Sequence, residues 1–356
     1  MKQTKNLLRK LQVYYADVDK SISCACEQTA RVTPKTLPQS ASLTAPSTEG
    51  ALMGRLLDKT IYALGFFDGV HRGHQALLRE CAKLAQLHGC KTGVVTFSSH
   101  PDGLVFGKPP ALLNTSEDRT ILLHAYGMDS VLELPFDRTL MTTHWSSFLN
   151  QLLDEGAAGF VCGSDFRFGA GGNGTAKKLA AFCESRSLPY AVVPEQTLDG
   201  VRISSTHIRI LLEQGDLEEA IRFLGHPHVL SGEVVPGQQL GRTIGIPTAN
   251  LRLPEGVDCL RFGVYACKVV AEGKDYMAVT NVGTRPTVGG SSVTIEPFLL
   301  DFAGDLYGKT IRVAFYRFLR PETKFASIEE LKEEIQKNIQ QTVDFFEKSE
   351  EKYFTF

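Results

Sequence analysis

Residues 60–89 read TIYALGFFDGVHRGHQALLRECAKLAQLHG: an apolar run of strand length, a turn holding Gly65, Gly69 and Gly73, and a helix-period segment that stops at Gly89. Leu77, Cys81, Leu84 and Ala85 fall on one face at helical spacing, and a glycine after the last of them is a helix stop. A strand passing through a short turn into a helix is half of a βαβ unit, and the pattern recurs. KTGVVTF (91–97), SVLELPF (130–136), AGFVCG (158–163) and YAVVP (190–194) read as further strands, with helices at 146–156 and 176–186 between them. Strands separated by helices predict a parallel sheet covered on both faces, a doubly wound α/β domain.

The texture changes after LGHPHVLSGEVV (224–235). Short β-rich runs follow, at 228–235, 263–270, 276–283, 293–302 and 309–319, divided by Gly and Pro turns. They predict a small antiparallel barrel or sandwich. A last helix opens at Ser327, where Ser327 and Glu330 form a capping box, and its buried stripe is read as Ile328, Leu331, Ile335, Ile339 and Val343. Residues 31–50, RVTPKTLPQSASLTAPSTEG, have no apolar period, so 1–55 is read as a disordered or weakly ordered extension, with Met53 a candidate start of the folded chain. The expected division is 1–55, 56–226 and 227–356.

A chain of 356 residues with 43% hydrophobic content exceeds one ordinary core, which agrees with two domains. A formal net charge of -2 supplies no basic field for nucleic acid, so small molecules are the expected partners, bound by a monomer or weak homo-oligomer. The eight cysteines are scattered, and Cys24-x-Cys26 fits neither a zinc pair nor a redox motif, which suits the cytoplasm. No apolar run approaches the ~20 residues that cross a bilayer. Lys2, Lys5, Arg9 and Lys10 precede no apolar segment of the kind that a secretory signal needs.

The turn at 65–74 lies where open α/β sheets bind ligands. Its glycines admit a phosphate close to the backbone, and the helix expected to begin near His74 points free N–H groups at the same place. His71 and His74 can donate to phosphoryl oxygens as charge builds during a displacement. They are equally compatible with a plain turn or half a metal site. ISSTHIR (203–209) opens a later helix, and Ser204, Ser205 and Thr206 read either as N-caps or, with Arg209 one turn on, as a phosphate clamp.

In the β-rich half, GRTIGIPTAN (241–250) reads as a turn between strands or as a phosphate-binding loop, in which Thr248 and Asn250 offer neutral oxygens suited to Mg2+. Glu296 stands in an otherwise apolar run, so it is paired, at an edge, or functional. Pro297 after it implies an edge or a bulge. YGKT (307–310) imitates a P-loop, but its first glycine position holds Ala303 and a strand pattern follows, so it is read as a β-turn.

These motifs carry a resemblance. H-x-G-H (71–74) with I-S-S-T-x-x-R (203–209) resembles the nucleotidyltransferase superfamily, and G-x-F-D-G-V-H-x-G-H (65–74) with G-x-D-F-x-F-G (163–169) is similar to its FAD synthetase branch. The resemblance implies that His71, His74 and Arg209 stabilise the ATP phosphates during AMP transfer. It implies that Gly65, Phe66, Asp68, Gly69, Gly73, Asp165, Ser205 and Thr206 bind ATP or flavin. One departure is Ser98-Ser99 before His100-Pro101, where that family commonly has Asp-Pro.

P-T-A-N (247–250), with NVGTRPTVGG (281–290), DLYGKTIRVAF (305–315) and FLRPETKF (318–325), resembles riboflavin kinases. It implies Glu296 as catalytic base, Gly241, Arg242, Thr243 and Pro247 at ATP, and Thr248 and Asn250 at Mg2+. Together the two resemblances span 60–345. They imply an α/β nucleotidyltransferase domain followed by a small antiparallel β-barrel kinase domain with a C-terminal helix. The implied enzyme makes FMN from riboflavin and ATP, then FAD from FMN and a second ATP. A single-activity relative with one site lost and a non-catalytic flavin- or nucleotide-binding regulator are the other readings.

Overall fold

The apolar run at 60–64 forms strand β1 (Thr60–Leu64), and every one of its residues is buried, as in a strand covered on both faces. The computed structural model describes residues 59–107, 110–237, 245–253, 256–257, 260–287 and 290–348; the extension 1–55, Met53, Gly241, Arg242 and Thr243 lie outside them. Four more parallel strands, β2 (Lys91–Phe97), β3 (Ser130–Leu134), β4 (Ala157–Gly163) and β7 (Tyr190–Val193), complete a sheet in the order β3-β2-β1-β4-β7. From β1 the chain winds outward to β2 and β3, then returns to β4 on the other side. The strand order therefore reverses at β1/β4, and the crevice outside their carboxyl ends is the ligand position of such a sheet.

Helix α1 (Arg72–His88) begins two residues before His74 because His71 caps it: His71 Nδ1 accepts from the His74 N–H at 3.3 Å. Gly89 ends it in the left-handed region at φ 62°, with its N–H returned to Ala85 and Gln86. Sequence reading passed over several elements, among them the helices Pro101–Phe106, Ser116–Ala125 and Leu217–Leu224, the hairpin of β5 (Arg167–Phe168) with β6 (Gly174–Thr175) and the hairpin of β8 (Thr197–Leu198) with β9 (Val201–Arg202).

The β-rich half is a closed six-stranded barrel in the order β10-β11-β14-β13-β12-β15, which resolves the expected barrel or sandwich. Its strands are β10 (His228–Val235), β11 (Asn250–Arg252), β12 (Gly263–Ala271), β13 (Lys274–Thr287), β14 (Gly290–Leu299) and β15 (Thr310–Pro321). The YGKT segment is a turn into β15, with Gly308 at φ 72°. Pro297 makes no bulge: β14 stays in register with β13 through Asn281↔Glu296, Thr280↔Pro297 and Val279↔Phe298. Its carbonyl accepts from Ala249 N, so its missing N–H faces the short β11 side and no β13 bond is lost.

Barrel residues such as Leu230, Cys267, Ile295 and Phe315 share one core with Ile208, Leu212, Phe223 and Leu224 of the helices before them. Asp118, on the helix Ser116–Ala125, is buried against β10, where Ser231 donates to it from Oγ at 2.5 Å and from N at 2.8 Å. The described residues, from 59 to 348, accordingly form one unit by their contacts.

The stripe expected for the last helix (Ile328–Lys348) needs correction. Ile328 is 51% exposed, Leu331, Ile335, Ile339 and Val343 are half-buried, and the buried positions are Asn338, Thr342 and Phe346. The buried polar pair is satisfied locally: Arg320 Nε donates to Asn338 Oδ1 at 3.1 Å, and Thr342 Oγ1 donates to the Asn338 carbonyl at 2.8 Å.

Candidate active sites

At the carboxyl ends of β1 and β4 a cavity of about 560 Å³ is lined by Gly65, Phe66, Asp68, His71, Gly73, His74, Asp165, Ser205, Thr206 and Arg209. Residues that the chain separates by well over a hundred positions thus converge on one pocket. Gly69 stands behind it: at φ 78°, any Cβ there would strike Leu113. Gly73 leaves room for the His71 ring, which a Cβ would meet at 3.1 Å.

The His71 and His74 rings are stacked, with centroids 3.7 Å apart. Because His71 Nδ1 accepts the cap hydrogen bond, the neutral ring carries its proton on Nε2. Burial drives the His71 pKa down to about 3, and His74 well below its usual range, helped there by His71 and Arg119. Both rings are therefore neutral donors at physiological pH. His74 Nδ1 is buried with no hydrogen-bond partner among the described residues, which leaves it free to meet a ligand atom in the cavity.

Asp68 is buried and its carboxylate is committed: Oδ2 accepts from Arg209 Nη2 at 2.8 Å and Oδ1 from the Leu113 N–H at 2.8 Å. Burial raises the Asp68 pKa and Arg209 opposes it, so the carboxylate orients the guanidinium rather than meeting an anionic ligand itself. Of the serines, Ser204 is the N-cap of the helix Ser205–Gln214, and Ser205 Oγ donates to the Asp68 carbonyl at 2.9 Å. Asp165 pairs with Arg202 at 2.5 Å, and Arg202 also reaches Glu195 at 3.0 Å. Sequence reading missed Arg202, although it lies just ahead of ISST, and His100, whose ring meets Phe66 edge-on at 4.7 Å in the same cavity. That ring caps the helix Pro101–Phe106 at the segment where Ser98-Ser99 departs from the usual pattern.

The neutral histidines carry a consequence for stability. His71 and the buried barrel residue His228 bind a proton only near pH 3 when folded, against 6.5 unfolded, both because of burial. The unfolded chain then binds more protons below 6.5, so stability falls as pH drops through that window, by about 2 kcal/mol per ring at about pH 5. Urea melts between about pH 7.5 and about pH 5 check this; midpoints that do not fall with pH contradict it.

In the barrel, a cavity of about 320 Å³ is lined by Gly237, Pro247, Thr248, Asn250 and the segment 302–307. A second cleft, of about 270 Å³, is lined by Thr248, Glu296, Asn281, Arg320, Phe325 and residues of the last helix. Thr248 belongs to both. The anomaly of Glu296 is resolved by alternation: Ile295, Pro297 and Leu299 are buried, whereas Glu296 and Phe298 face the second cleft. The half-buried Leu331 and Ile335 also line it, so the last helix spends part of its apolar stripe on this cleft. Asn250 Oδ1 is buried without a hydrogen-bond partner among the described residues. Gly237, which sequence reading missed, packs directly on the Asn250 amide.

Two family profiles match the chain. The FAD synthetase family profile matches residues 55–207, and the riboflavin kinase profile matches 224–346. A bifunctional riboflavin kinase/FMN adenylyltransferase of Listeria monocytogenes is 35% identical over 295 residues, 82% of this chain and 94% of the relative. The Escherichia coli protein of that name is 39% identical over 294 residues, 80% of this chain and 92% of the relative. The chain belongs to this family. It is a transferase carrying both halves of a bifunctional riboflavin kinase/FMN adenylyltransferase, with the FAD synthetase match on the parallel-sheet cavity and the kinase match on the barrel. A crystal structure from Streptococcus pneumoniae, described as a macrolide-efflux protein, shares the family fold at 30% identity with a TM-score of 0.70, over 80% of this chain and 94% of that one. Among the described residues here, no helix is long and apolar enough to cross a membrane.

Proposed function

We propose that the two transfers run at separate sites: riboflavin is phosphorylated in the barrel cleft, with Glu296 as base, and FMN accepts AMP in the cavity at the sheet's carboxyl edge. The observation that carries the reading is the placement of Thr248 between two cavities, one holding Glu296 and the other Asn250. Such a pair lets an acceptor alcohol and a triphosphate approach from opposite sides.

In the cleft, Phe298, Phe325, Leu331 and Ile335 offer apolar surface to the flavin ring system. Glu296 takes the proton from the riboflavin 5'-hydroxyl as that oxygen attacks the γ-phosphorus of ATP, leaving ADP. Pro247 is assigned to ATP, as are Gly241, Arg242 and Thr243, which lie outside the described residues. Mg2+ fits Asn250 and Thr248, since the first presents a buried oxygen without a hydrogen-bond partner among the described residues and both are neutral hard donors. When bound, the ion neutralises charge on phosphate oxygens.

At the sheet edge, an FMN phosphate oxygen attacks the α-phosphorus of ATP and pyrophosphate leaves. His71 Nε2–H, the His74 ring and Arg209 meet the charge that develops, already fixed in place by a cap bond, a ring stack and the Asp68 ion pair. Gly65, Phe66, Gly73, Ser205 and Thr206 line the nucleotide's path, and Asp165 with Arg202 stands at the rim. Residues 56–226 are assigned to AMP transfer and 227–356 to phosphorylation. The net charge of -2 and the free cysteines Cys81, Cys90, Cys162, Cys183 and Cys267 support a cytoplasmic monomer or weak homo-oligomer acting on small molecules rather than nucleic acid.

Incubating the purified protein with riboflavin, ATP and Mg2+ and separating the flavins tests the assignment. FMN appears first, then FAD; FMN without FAD removes the sheet-edge site, and flavin binding without ATP consumption removes both. Gly237→Ala gives a local test, because the added Cβ displaces the Asn250 amide. Riboflavin phosphorylation is expected to fall about tenfold while FMN adenylylation is unchanged, and unaltered phosphorylation would remove Asn250 from the site.

A further inference from the structure

The turn that carries His71 is strained. Phe67 (φ 60°), Gly69 (φ 78°) and Val70 (φ 39°) all take positive φ, and for a β-branched residue such as Val70 this conformation is an outlier. A non-glycine residue held there is strained and persists only where its surroundings over-determine it.

Three successive carbonyls of this turn are each held by a side chain from elsewhere. Ser205 Oγ donates to Asp68 O at 2.9 Å, His226 Nε2 to Gly69 O at 2.9 Å, and Gln75 Nε2 to Val70 O at 2.9 Å. Gln75 also donates to Leu224 O at 2.7 Å, which ties the turn to the chain leading into the barrel. Both ring nitrogens of His226 face carbonyls, and it is the Nε2–H form of the ring that donates to Gly69 O. Its Nδ1 lies 2.7 Å from the Pro227 carbonyl, and the residue is 3% exposed. The turn feeds directly into His71 at the helix cap, and Phe67 packs against His74 with ring centroids 5.1 Å apart. A shift of the Gly69 peptide therefore moves both histidines.

We propose that His226, which precedes the first barrel strand and falls inside the riboflavin kinase match, is a positioning residue for AMP transfer: it holds the Gly69 peptide and, through it, His71 and His74. The proposal rests on the assignment of His71 and His74 to FMN adenylylation. It makes the barrel's entry segment part of the other half's reaction and leaves His226 without a role in phosphorylation.

The test measures both activities of the full chain in His226→Ala and His226→Gln, with His74→Ala alongside. His226→Ala is expected to lower kcat for FMN adenylylation about tenfold, with KM for FMN and ATP within about twofold and riboflavin phosphorylation unchanged. His226→Gln, whose Nε2–H occupies a similar place, restores most of the rate. Wild-type adenylylation in His226→Ala, failure of Gln to rescue, or equal loss of both activities in the two variants overturns the proposal. If His74→Ala itself leaves FAD formation intact, the underlying site assignment fails instead, and the proposal with it.

Discussion

Glu296→Gln is expected to lower FMN formation from riboflavin by about 10²-fold or more, while FAD formation from supplied FMN continues at the wild-type rate. The substitution keeps the side chain's volume and one acceptor oxygen but removes its basicity, so what it deletes is proton acceptance. Glu296 faces the cleft rather than the barrel interior, where Ile295, Pro297 and Leu299 provide the packing. Core destabilisation is therefore not the expected route to loss. Separating flavins after single turnovers with riboflavin, and independently with FMN, reads the two activities in one preparation. Retention of more than about a tenth of the phosphorylation rate would mean that Glu296 orients the alcohol without taking its proton. Loss of FAD formation as well would contradict two sites.

Much of the scaffold was legible because its signals are local. The strand at 60–64, the helix after it and the Gly89 stop follow from period and cap chemistry within thirty residues. Barrel closure was not, because whether the strands close or stack depends on β10 meeting both β11 and β15, a pairing no single segment encodes. The last helix misled for a related reason: Asn338 and Thr342 look like surface residues until Arg320 is brought beside them, and the exposed Ile328 looks like core. The site divides the same way. Glu296 announced itself as a charge in an apolar run, and the histidines as a motif. The Asp68–Arg209 pair joins residues 141 positions apart, and Gly237 matters only through its contact with Asn250. Side chains proposed to meet ligands leave local marks in the sequence, whereas those that hold them in place leave marks only in the fold.

His74→Ala is the second large effect, an expected loss of FAD formation of about 10²- to 10³-fold with phosphorylation of riboflavin retained. Of the two histidines it is the cleaner probe. His71 is also the N-cap of helix α1, so replacing it mixes lost catalysis with about 1 kcal/mol of lost capping. His74 Nδ1 has no hydrogen-bond partner among the described residues, and the ring stacks on His71 and lines the cavity, so its loss removes a neutral donor from the proposed phosphate site with little disturbance of the turn. Continued phosphorylation in the same sample shows that the chain is folded, since helices before the barrel share its core. The alternative is that two histidines merely start a helix. That reading predicts FAD formation near wild type in His74→Ala, and it separates from ours by two orders of magnitude in a single rate.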